Sequence, residues 1–249
     1  ERAMLARLLY PVAEPNFNYK YCKGYYYRAS SEKLNGRVVR LLVTPLLRTL
    51  KKFFAPNEYL DYLDSFRYPL AGEFSMRADV IKTIRIPSDW GLEIGILSEV
   101  HRNNSTNRIC QVEIADRYDH KHQPLSENNL KGGLAKMSLD ISKAIFSKLA
   151  SEGKIFSHGS FRSIKSTYYR IALDMLEQYY SDAVINGLEL DRHDEEKIVD
   201  LFAQQIYTAG EEFLKNPLHS DFIPSWKRIM SAIPEFMDKF YQYVEEDNN

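Results

Sequence analysis

The stretch RICQVEIADRYDHKHQPL, residues 108–125, divides the sequence into two parts of different character. Its first half alternates apolar residues (Cys110, Val112 and Ile114) with polar ones, which predicts a β-strand with one buried face. Its second half is polar and holds two aspartates and two histidines within seven positions. We therefore expect a strand that ends in a loop rich in side chains able to bind a metal ion.

Upstream of that stretch the chain mixes strands and helices. The aromatic segment at residues 18–28 predicts a strand or a kinked pair of strands. The turn signal Asn35-Gly36 precedes a helical pattern at residues 37–54, which Pro45 should divide into two pieces. A strand at residues 71–77 and a helix at residues 87–103 are also predicted.

Downstream of the stretch, from Ser126 on, the pattern predicts only helices. Apolar residues recur at helical spacing in several segments, which is typical of helices that pack on a core. The last of these segments contains Pro234, where we expect a kink. The predicted fold is therefore an α/β region at residues 1–125 followed by an all-helical region at residues 126–249.

Composition excludes several classes of protein. With 44% hydrophobic and 27% charged residues, the 249-residue chain is ordinary for a globular protein. The 33 basic residues balance the 34 acidic ones, so no overall field attracts nucleic acid. No apolar run approaches the roughly 18 residues of a membrane span. Cys22 and Cys110 alone make no disulfide framework, so we expect a cytoplasmic protein.

The histidine-rich loop leaves several interpretations open. His120 and His122 are two positions apart, so both imidazoles would face one side of an extended chain. A metallohydrolase of the His-x-His-x-Asp kind would need aspartate where this chain has Pro124. A polar loop that binds no metal is an alternative. Metal binding by this stretch would need further ligands from elsewhere in the fold or from a bound phosphate.

Two further stretches have residues suited to binding. In KLNGRVVR, residues 33–40, Gly36 lets the chain turn into a helix, and Arg37 and Arg40 supply charge for an anion. A capped helix with solvated basic residues is the alternative. Glu93 falls in the first turn of a predicted helix, between two glycines that would let a ligand or another backbone approach.

The sequence lacks the common nucleotide-binding and catalytic motifs. It contains no Gly-x-Gly-x-x-Gly, no Walker loop, no Gly-x-Ser-x-Gly and no Asp-x-Asp. The nearest approach to an Asp-x-Asp pair is Glu189-Leu-Asp191, far along the helical region. Taken singly, none of the three polar stretches identifies a function.

Together, and in this order, four blocks resemble the C-terminal half of glucosyl-3-phosphoglycerate synthases. The blocks are NGRVVRLLVTPLL, PLAGEFSMR, DWGLEIGIL and QVEIADRYDHKHQPLS. That family consists of retaining glycosyltransferases of the A-type fold, and the related mannosyl-3-phosphoglycerate synthases share the pattern. The resemblance covers roughly residues 1–150, and the helical remainder resembles the C-terminal extensions of longer bacterial members. It implies the acceptor-binding half of an A-type fold, followed by the helical region.

The resemblance implies a role for each block. Gly36, Arg37 and the backbone of Val39 would hold the phosphate and carboxylate of 3-phosphoglycerate, and Glu93 would be the catalytic acidic group that faces sugar and acceptor. The metal ligand would be His120, followed by His122 at an acceptor position. The floor of the donor-sugar pocket would be formed by Leu70, Ala71, Gly72 and Glu73.

The same resemblance implies the substrates and metal of the intact enzyme, and it implies that this chain is inactive alone. The intact enzyme would use a nucleotide sugar, 3-phosphoglycerate and a divalent metal, Mg²⁺ or Mn²⁺. Its Asp-x-Asp motif lies just upstream of a helix like residues 1–10, so we expect this chain to lack the nucleotide-binding half and to be inactive alone. The departures at Val39 (threonine in some members) and at His122-Gln123 (Asn-Arg in some) put the identity of the acceptor in question.

The alternative is a non-catalytic interaction or oligomerisation module of a larger protein. Its support is the aromatic-rich helical region, which we expect to serve packing or self-association, for example in a homodimer, rather than chemistry. Geometry discriminates between the two interpretations. If Arg37, Glu93 and His120 lie far apart and face different ways, the enzyme interpretation is wrong for this chain.

Overall fold

The computed structural model describes residues 2–27, 29–30, 33–115, 133–217 and 222–248. His120 and His122 therefore lie outside the described residues. The boundary between the two predicted regions lies outside them as well, so the division at 125/126 stays a prediction.

The first part of the chain mixes short strands with helices, as the sequence predicts. Its elements are α1 (Arg2–Ala13), β1 (Tyr21–Tyr26), β2 (Ala29–Ser30), β3 (Lys33–Leu34), a π-helix (Val38–Val43), α2 (Thr44–Phe54), α3 (Glu58–Asp64), β4 (Phe74–Met76), α4 (Ala78–Ile81), β5 (Ile86–Pro87), α5 (Leu92–Asn103), a 3₁₀ turn (Thr106–Arg108) and β6 (Ile109–Ala115).

The second part is dominated by helices. Its elements are α6 (Gly133–Ser151), α7 (His158–Ile185), α8 (Arg192–Lys215), β7 (Phe222–Ile223), α9 (Trp226–Ala232) and α10 (Phe236–Asp247). The expectation of helices alone after Ser126 is wrong, because β7 pairs antiparallel with β5 of the first part. A strand of two residues is too short to show any periodicity in the sequence. The expected kink at Pro234 is a complete break between α9 and α10.

Three strands of the first part form a sheet in the order β4-β1-β6, and β2 and β3 form a separate antiparallel pair. The central strand β1 runs antiparallel to β4 and parallel to β6, with Cys22 opposite both Ser75 and Cys110. Residues 21–24 of β1 are all buried, which shows that both faces of this central strand are covered. In β6 the predicted alternation is present where Ile114 is buried and Glu113 is exposed.

Pro45 marks a change of helix geometry and does not interrupt the helix. The π-helix ends where the Thr44 N–H donates to the Val39 carbonyl, five residues back, and α2 begins at Thr44. Proline in the first turn of an α-helix is tolerated because the N–H that it lacks has no intrahelical partner there. The two predicted pieces are therefore one helical segment with two geometries.

One hydrophobic core joins the two parts. Fully buried residues of that core come from both sides of the undescribed residues 116–132, among them Tyr21, Leu42, Leu97, Phe146, Phe161 and Phe202. The apolar stripes of α7 and α8 lie in this core as predicted, but the stripe of the last segment does not. Neither α9 nor α10 has a buried residue. No described helix is long and apolar enough to cross a membrane.

Candidate functional site

A cavity of about 760 Å³ is lined by residues of both parts. It brings together three of the predicted blocks, through Gly36 and Arg37, Leu70 and Gly72, and Glu93. Its volume falls within the range of roughly 300–1,000 Å³ that is usual for small-molecule sites. Arg37 and Glu93 thus line the same cavity, but the geometric test set by the sequence also needs His120, which lies outside the described residues.

The loop before the π-helix presents Arg37 to this cavity. Gly36 has φ +80°, a left-handed conformation that glycine adopts without strain, so the Asn-Gly turn signal is confirmed. The Gly36 carbonyl accepts the Arg40 N–H at 2.9 Å, which begins the helical segment. The Arg37 side chain is 43% exposed. Its guanidinium is therefore accessible to an anion in the cavity.

Arg40 has a different role from the one that the sequence suggests. Its guanidinium makes two hydrogen bonds to the Glu195 carboxylate of α8, Nη1 to Oε2 at 2.9 Å and Nη2 to Oε1 at 2.6 Å. The exposed fractions of the two side chains are only 10% and 3%. Arg40 is thus part of a buried ion pair rather than a solvated anion ligand. Nothing in the sequence indicated Glu195, which is 155 positions away.

Glu93 lies half-buried in the first turn of α5 and lines the cavity. Burial raises the pKa of its carboxyl above the ordinary value, the positive charge of Lys23 opposes that rise, and the charge of Glu73 adds to it. A carboxyl in such surroundings can exchange a proton nearer to neutral pH than an exposed one. The geometry is compatible with the predicted catalytic role, which stays a prediction.

Lys23 was missed as a site residue. It lies almost fully buried in β1, where its Nζ donates to the Ala71 carbonyl at 2.6 Å. Burial lowers the pKa of its ammonium to about 8, against the attraction of Glu93 and Glu73. The signal in the sequence was a lone lysine between the apolar and aromatic residues of a strand, since such a position is normally buried.

The block predicted to form the donor-pocket floor is only partly on the cavity wall. Leu70 and Gly72 line the cavity, whereas Ala71 is fully buried and contributes its carbonyl to Lys23. Glu73 is half-buried and its carbonyl accepts the Gly24 N–H at 2.8 Å. The block therefore acts as much through its backbone as through side chains.

Val39 lines a smaller adjoining cavity of about 290 Å³, which shares Asn35 and Gly36 with the larger one. Its wall also carries the Arg67 guanidinium, 4.8 Å from the centre of the Tyr25 ring. Val39 and Arg37 thus line different cavities, so the acceptor contacts predicted for these two residues would lie on different sides of the loop at Gly36.

The helical part contributes acidic residues to the large cavity. Glu189, Asp191, Asp194 and Glu195 all line it. The Glu189-Leu-Asp191 segment is thus distant from Glu93 only in sequence. Asp191 is already engaged as the N-cap of α8, where its carboxylate accepts the Asp194 N–H at 3.0 Å. Within the described part of the chain, no three His, Cys, Asp or Glu residues are placed to hold one metal ion.

The glycines beside Glu93 serve packing. A Cβ on Gly95 would lie 2.2 Å from the Pro87 ring, and one on Gly91 would lie 3.0 Å from the Cβ of Ala144 in α6. The close approach allowed by these glycines is thus used by the protein itself. Trp90, which was not predicted as a site residue, lines the cavity and is 44% exposed. A large exposed aromatic residue at a cavity is suited to ligand contact.

Comparison with known proteins supports the family suggested by the four blocks. No protein-family model matches the sequence. The chain is 44% identical over 248 residues to the glucosyl-3-phosphoglycerate synthase of Persephonella marina, covering 100% of this chain and 61% of that protein. It is 43% identical over 242 residues to that of Methanococcoides burtonii, covering 95% and 58%.

The whole chain is similar to glucosyl-3-phosphoglycerate synthases. It spans about three fifths of the length of these curated relatives. Among solved structures, it is similar to Mycobacterium tuberculosis glucosyl-3-phosphoglycerate synthase in complex with Mn²⁺, UDP-glucose and phosphoglyceric acid, with a TM-score of 0.45 and 22% identity. That match covers 59% of this chain and 44% of the mycobacterial one.

The sequence similarity to glucosyl-3-phosphoglycerate synthases extends beyond the four blocks. The resemblance seen in the sequence covers roughly residues 1–150, but the alignment with the P. marina synthase covers the full chain. The helical part is therefore shared with that synthase. The roles of individual site residues remain predictions.

Proposed function

We propose that this chain is the acceptor-binding part of a glycosyltransferase that moves glucose from a nucleotide sugar to 3-phosphoglycerate. The observation that carries the proposal is that Arg37 and Glu93, from separate blocks, line one cavity of ligand size. The 44% identity to a glucosyl-3-phosphoglycerate synthase supports the choice of substrates.

In this proposal Arg37 and Glu93 have distinct tasks. The exposed Arg37 guanidinium binds the phosphate or carboxylate of the acceptor through paired hydrogen bonds, beside the turn at Gly36. Holding the acceptor in one orientation lowers the barrier mainly by removing the entropic cost of the encounter. A retaining transfer can run by same-face attack, in which the leaving phosphate takes the acceptor's proton. In that mechanism Glu93 orients hydroxyl groups and need not be a nucleophile.

A divalent metal, Mg²⁺ or Mn²⁺, belongs to the same proposal. His120 would hold it together with the diphosphate of the donor and with groups that the described residues do not include, since no three metal-capable side chains meet among them. The bound ion would supply Lewis-acid neutralisation of the leaving diphosphate. A solved mycobacterial synthase contains Mn²⁺ with UDP-glucose.

We further propose that the 249-residue chain binds the acceptor but does not transfer sugar by itself. Calorimetry with 3-phosphoglycerate is expected to show weak binding that is lost in Arg37→Ala and retained in Arg102→Ala, a matched control in the Glu99 ion pair of α5. Absence of binding by the wild type would contradict the acceptor site. Sugar transfer by the purified chain would contradict the need for a further part.

We also propose that the protein is cytoplasmic and forms a homodimer. Cys22 and Cys110 are free, as expected of a cytoplasmic enzyme. Self-association is favoured by α10, which exposes Phe240, Tyr241 and Tyr243. Sedimentation is expected to show a homodimer that becomes monomeric when Phe240 and Tyr243 are replaced by serine, and a wild type that stays monomeric at all concentrations would contradict this.

A further inference from the structure

We propose that Glu195, on α8 of the helical part, is a positioning residue of the anion site. It fixes Arg40, and through Arg40 and Arg37 it fixes the loop that receives an anionic group of the ligand. This inference rests on the proposed function, because it assigns a task within the proposed acceptor site. It also gives the helical region a part in ligand binding, beyond packing or self-association.

The contact between Glu195 and Arg40 is a buried, two-point ion pair. Both carboxylate oxygens accept from the guanidinium, at 2.6 and 2.9 Å. Such a fork fixes the orientation of both planar groups as well as their distance. Because both side chains are almost excluded from water, neither charge can be left alone without a large cost. The position of α8 therefore determines where the Arg40 side chain lies.

The other donors of Arg40 hold the loop itself. Its Nε donates to the Asn35 carbonyl at 3.0 Å, and its Nη2 lies 3.4 Å from the Leu34 carbonyl. These two residues immediately precede the turn at Gly36. One face of the guanidinium lies 5.1 Å from the centre of the Tyr179 ring of α7. Arg40 thus connects two helices to the loop.

The same carboxylate reaches Arg37. Glu195 Oε1, the oxygen nearest to Arg40, is 3.9 Å from Arg37 Nε. At this distance the carboxylate attracts the Arg37 guanidinium without a hydrogen bond, so the guanidinium keeps its donors for a ligand in the cavity. Because Arg40 neutralises Glu195, the three side chains together carry one positive charge. An anion therefore meets the charge of Arg37, although Glu93, Glu189, Asp191 and Asp194 also line the cavity. Binding thus depends on the orientation of the Arg37 guanidinium and its paired hydrogen bonds rather than on the net charge of the cavity.

The test is calorimetric titration of the 249-residue chain with inorganic phosphate. We compare the wild type with Glu195→Gln, which removes the charge, and with Glu195→Asp, which keeps the charge but shortens the reach. Both are expected to weaken binding, Glu195→Gln by about tenfold. Glu212→Gln is the matched control, because its exposed carboxylate on the same helix pairs with Lys143, and it should bind as the wild type does.

A second set of variants separates positioning from a merely structural role. Arg40→Lys keeps the charge but loses the fork, so it should also weaken phosphate binding, and it decides the question if Glu195→Gln does not fold. In an Arg37→Lys background, which keeps a charge and measurable binding but loses the fork, Glu195→Gln should have a smaller effect on affinity than in the wild type, since its effect acts through the orientation of Arg37. Circular dichroism confirms that each variant is folded at the temperature of titration.

The contrary outcomes are distinct. Tighter binding by Glu195→Gln would show that the carboxylate competes with the anion. An unchanged Kd with lowered stability would show a structural role alone. Either result overturns the inference. If the wild type binds phosphate while the variants bind equally well, the proposed function still stands. If the wild type binds neither phosphate nor 3-phosphoglycerate, both proposals are wrong.

Discussion

Two groups of charged residues are buried in different ways, and each reaches the cavity through one glutamate, Glu195 or Glu93. Arg40 and Glu195 satisfy each other with a two-point contact between full charges. Lys23 donates to a neutral carbonyl and is attracted to Glu93 and Glu73. This attraction is smaller than the cost of burying the charges, so the pKa of Lys23 falls and that of Glu93 rises. The first group is held by a geometrically fixed contact and suits positioning, whereas the shifted pKa values of Lys23 and Glu93 suit proton exchange.

Breaking the first group should have the largest effect on stability. Arg40→Met leaves the Glu195 carboxylate buried without its partner, so the free energy of unfolding should fall by about 3–5 kcal/mol. The double variant Arg40→Met/Glu195→Leu should recover most of that loss, because it removes both charges together. Urea unfolding of the two single variants and the double variant measures this.

The matched control for that experiment is Lys143→Met, which breaks an ion pair exposed on the surface. It should change the free energy of unfolding by less than about 1 kcal/mol. A double variant as unstable as the single ones would show that packing and the loop carbonyls, rather than the charges, stabilise this region.

In the second group, the lowered pKa of Lys23 should make the stability of the protein depend on pH. The folded pKa of Lys23, about 8, lies below its unfolded value of 10.5, so the unfolded state binds the extra proton between these pH values. Stability from this group therefore rises with pH in that window. Between pH 7 and pH 10 the wild type should gain about 2 kcal/mol relative to Lys23→Met. A constant difference between the two proteins would contradict the lowered pKa.

Glu93 should have a smaller effect of opposite sign. Its folded pKa lies above its unfolded value, so its contribution to stability is complete below the unfolded pKa and is lost as pH rises through the folded one. Wild type should therefore lose stability relative to Glu93→Gln as pH increases from 4 to 7. Thermal unfolding of both proteins across this range measures the change, and Glu113→Gln, an exposed glutamate of β6, should run parallel to the wild type.

Local patterns predicted most of the fold, and five of the ten site residues proposed from the sequence line the cavity. The turn at Gly36, the helix that presents Glu93 and the buried strand at Tyr21–Tyr26 follow from turn chemistry and periodicity. Periodicity failed for α9 and α10, because an apolar stripe shows that a helix can be buried but not that a partner covers it. Glu195 was unpredictable, since its role depends on a contact across 155 positions.

The separation of 155 positions between Arg40 and Glu195 affects when the cavity can form during synthesis of the chain. At a synthesis rate of about 5–20 residues per second, Glu195 leaves the ribosome on the order of ten seconds after Arg40. During this interval the arginine has no counter-charge to be buried with, so its guanidinium stays hydrated and the loop before Gly36 lacks its tether to α8. The sheet β4-β1-β6 and α5 can fold early, but the part of the cavity that we propose binds an anion is completed only when the nascent chain has delivered α8.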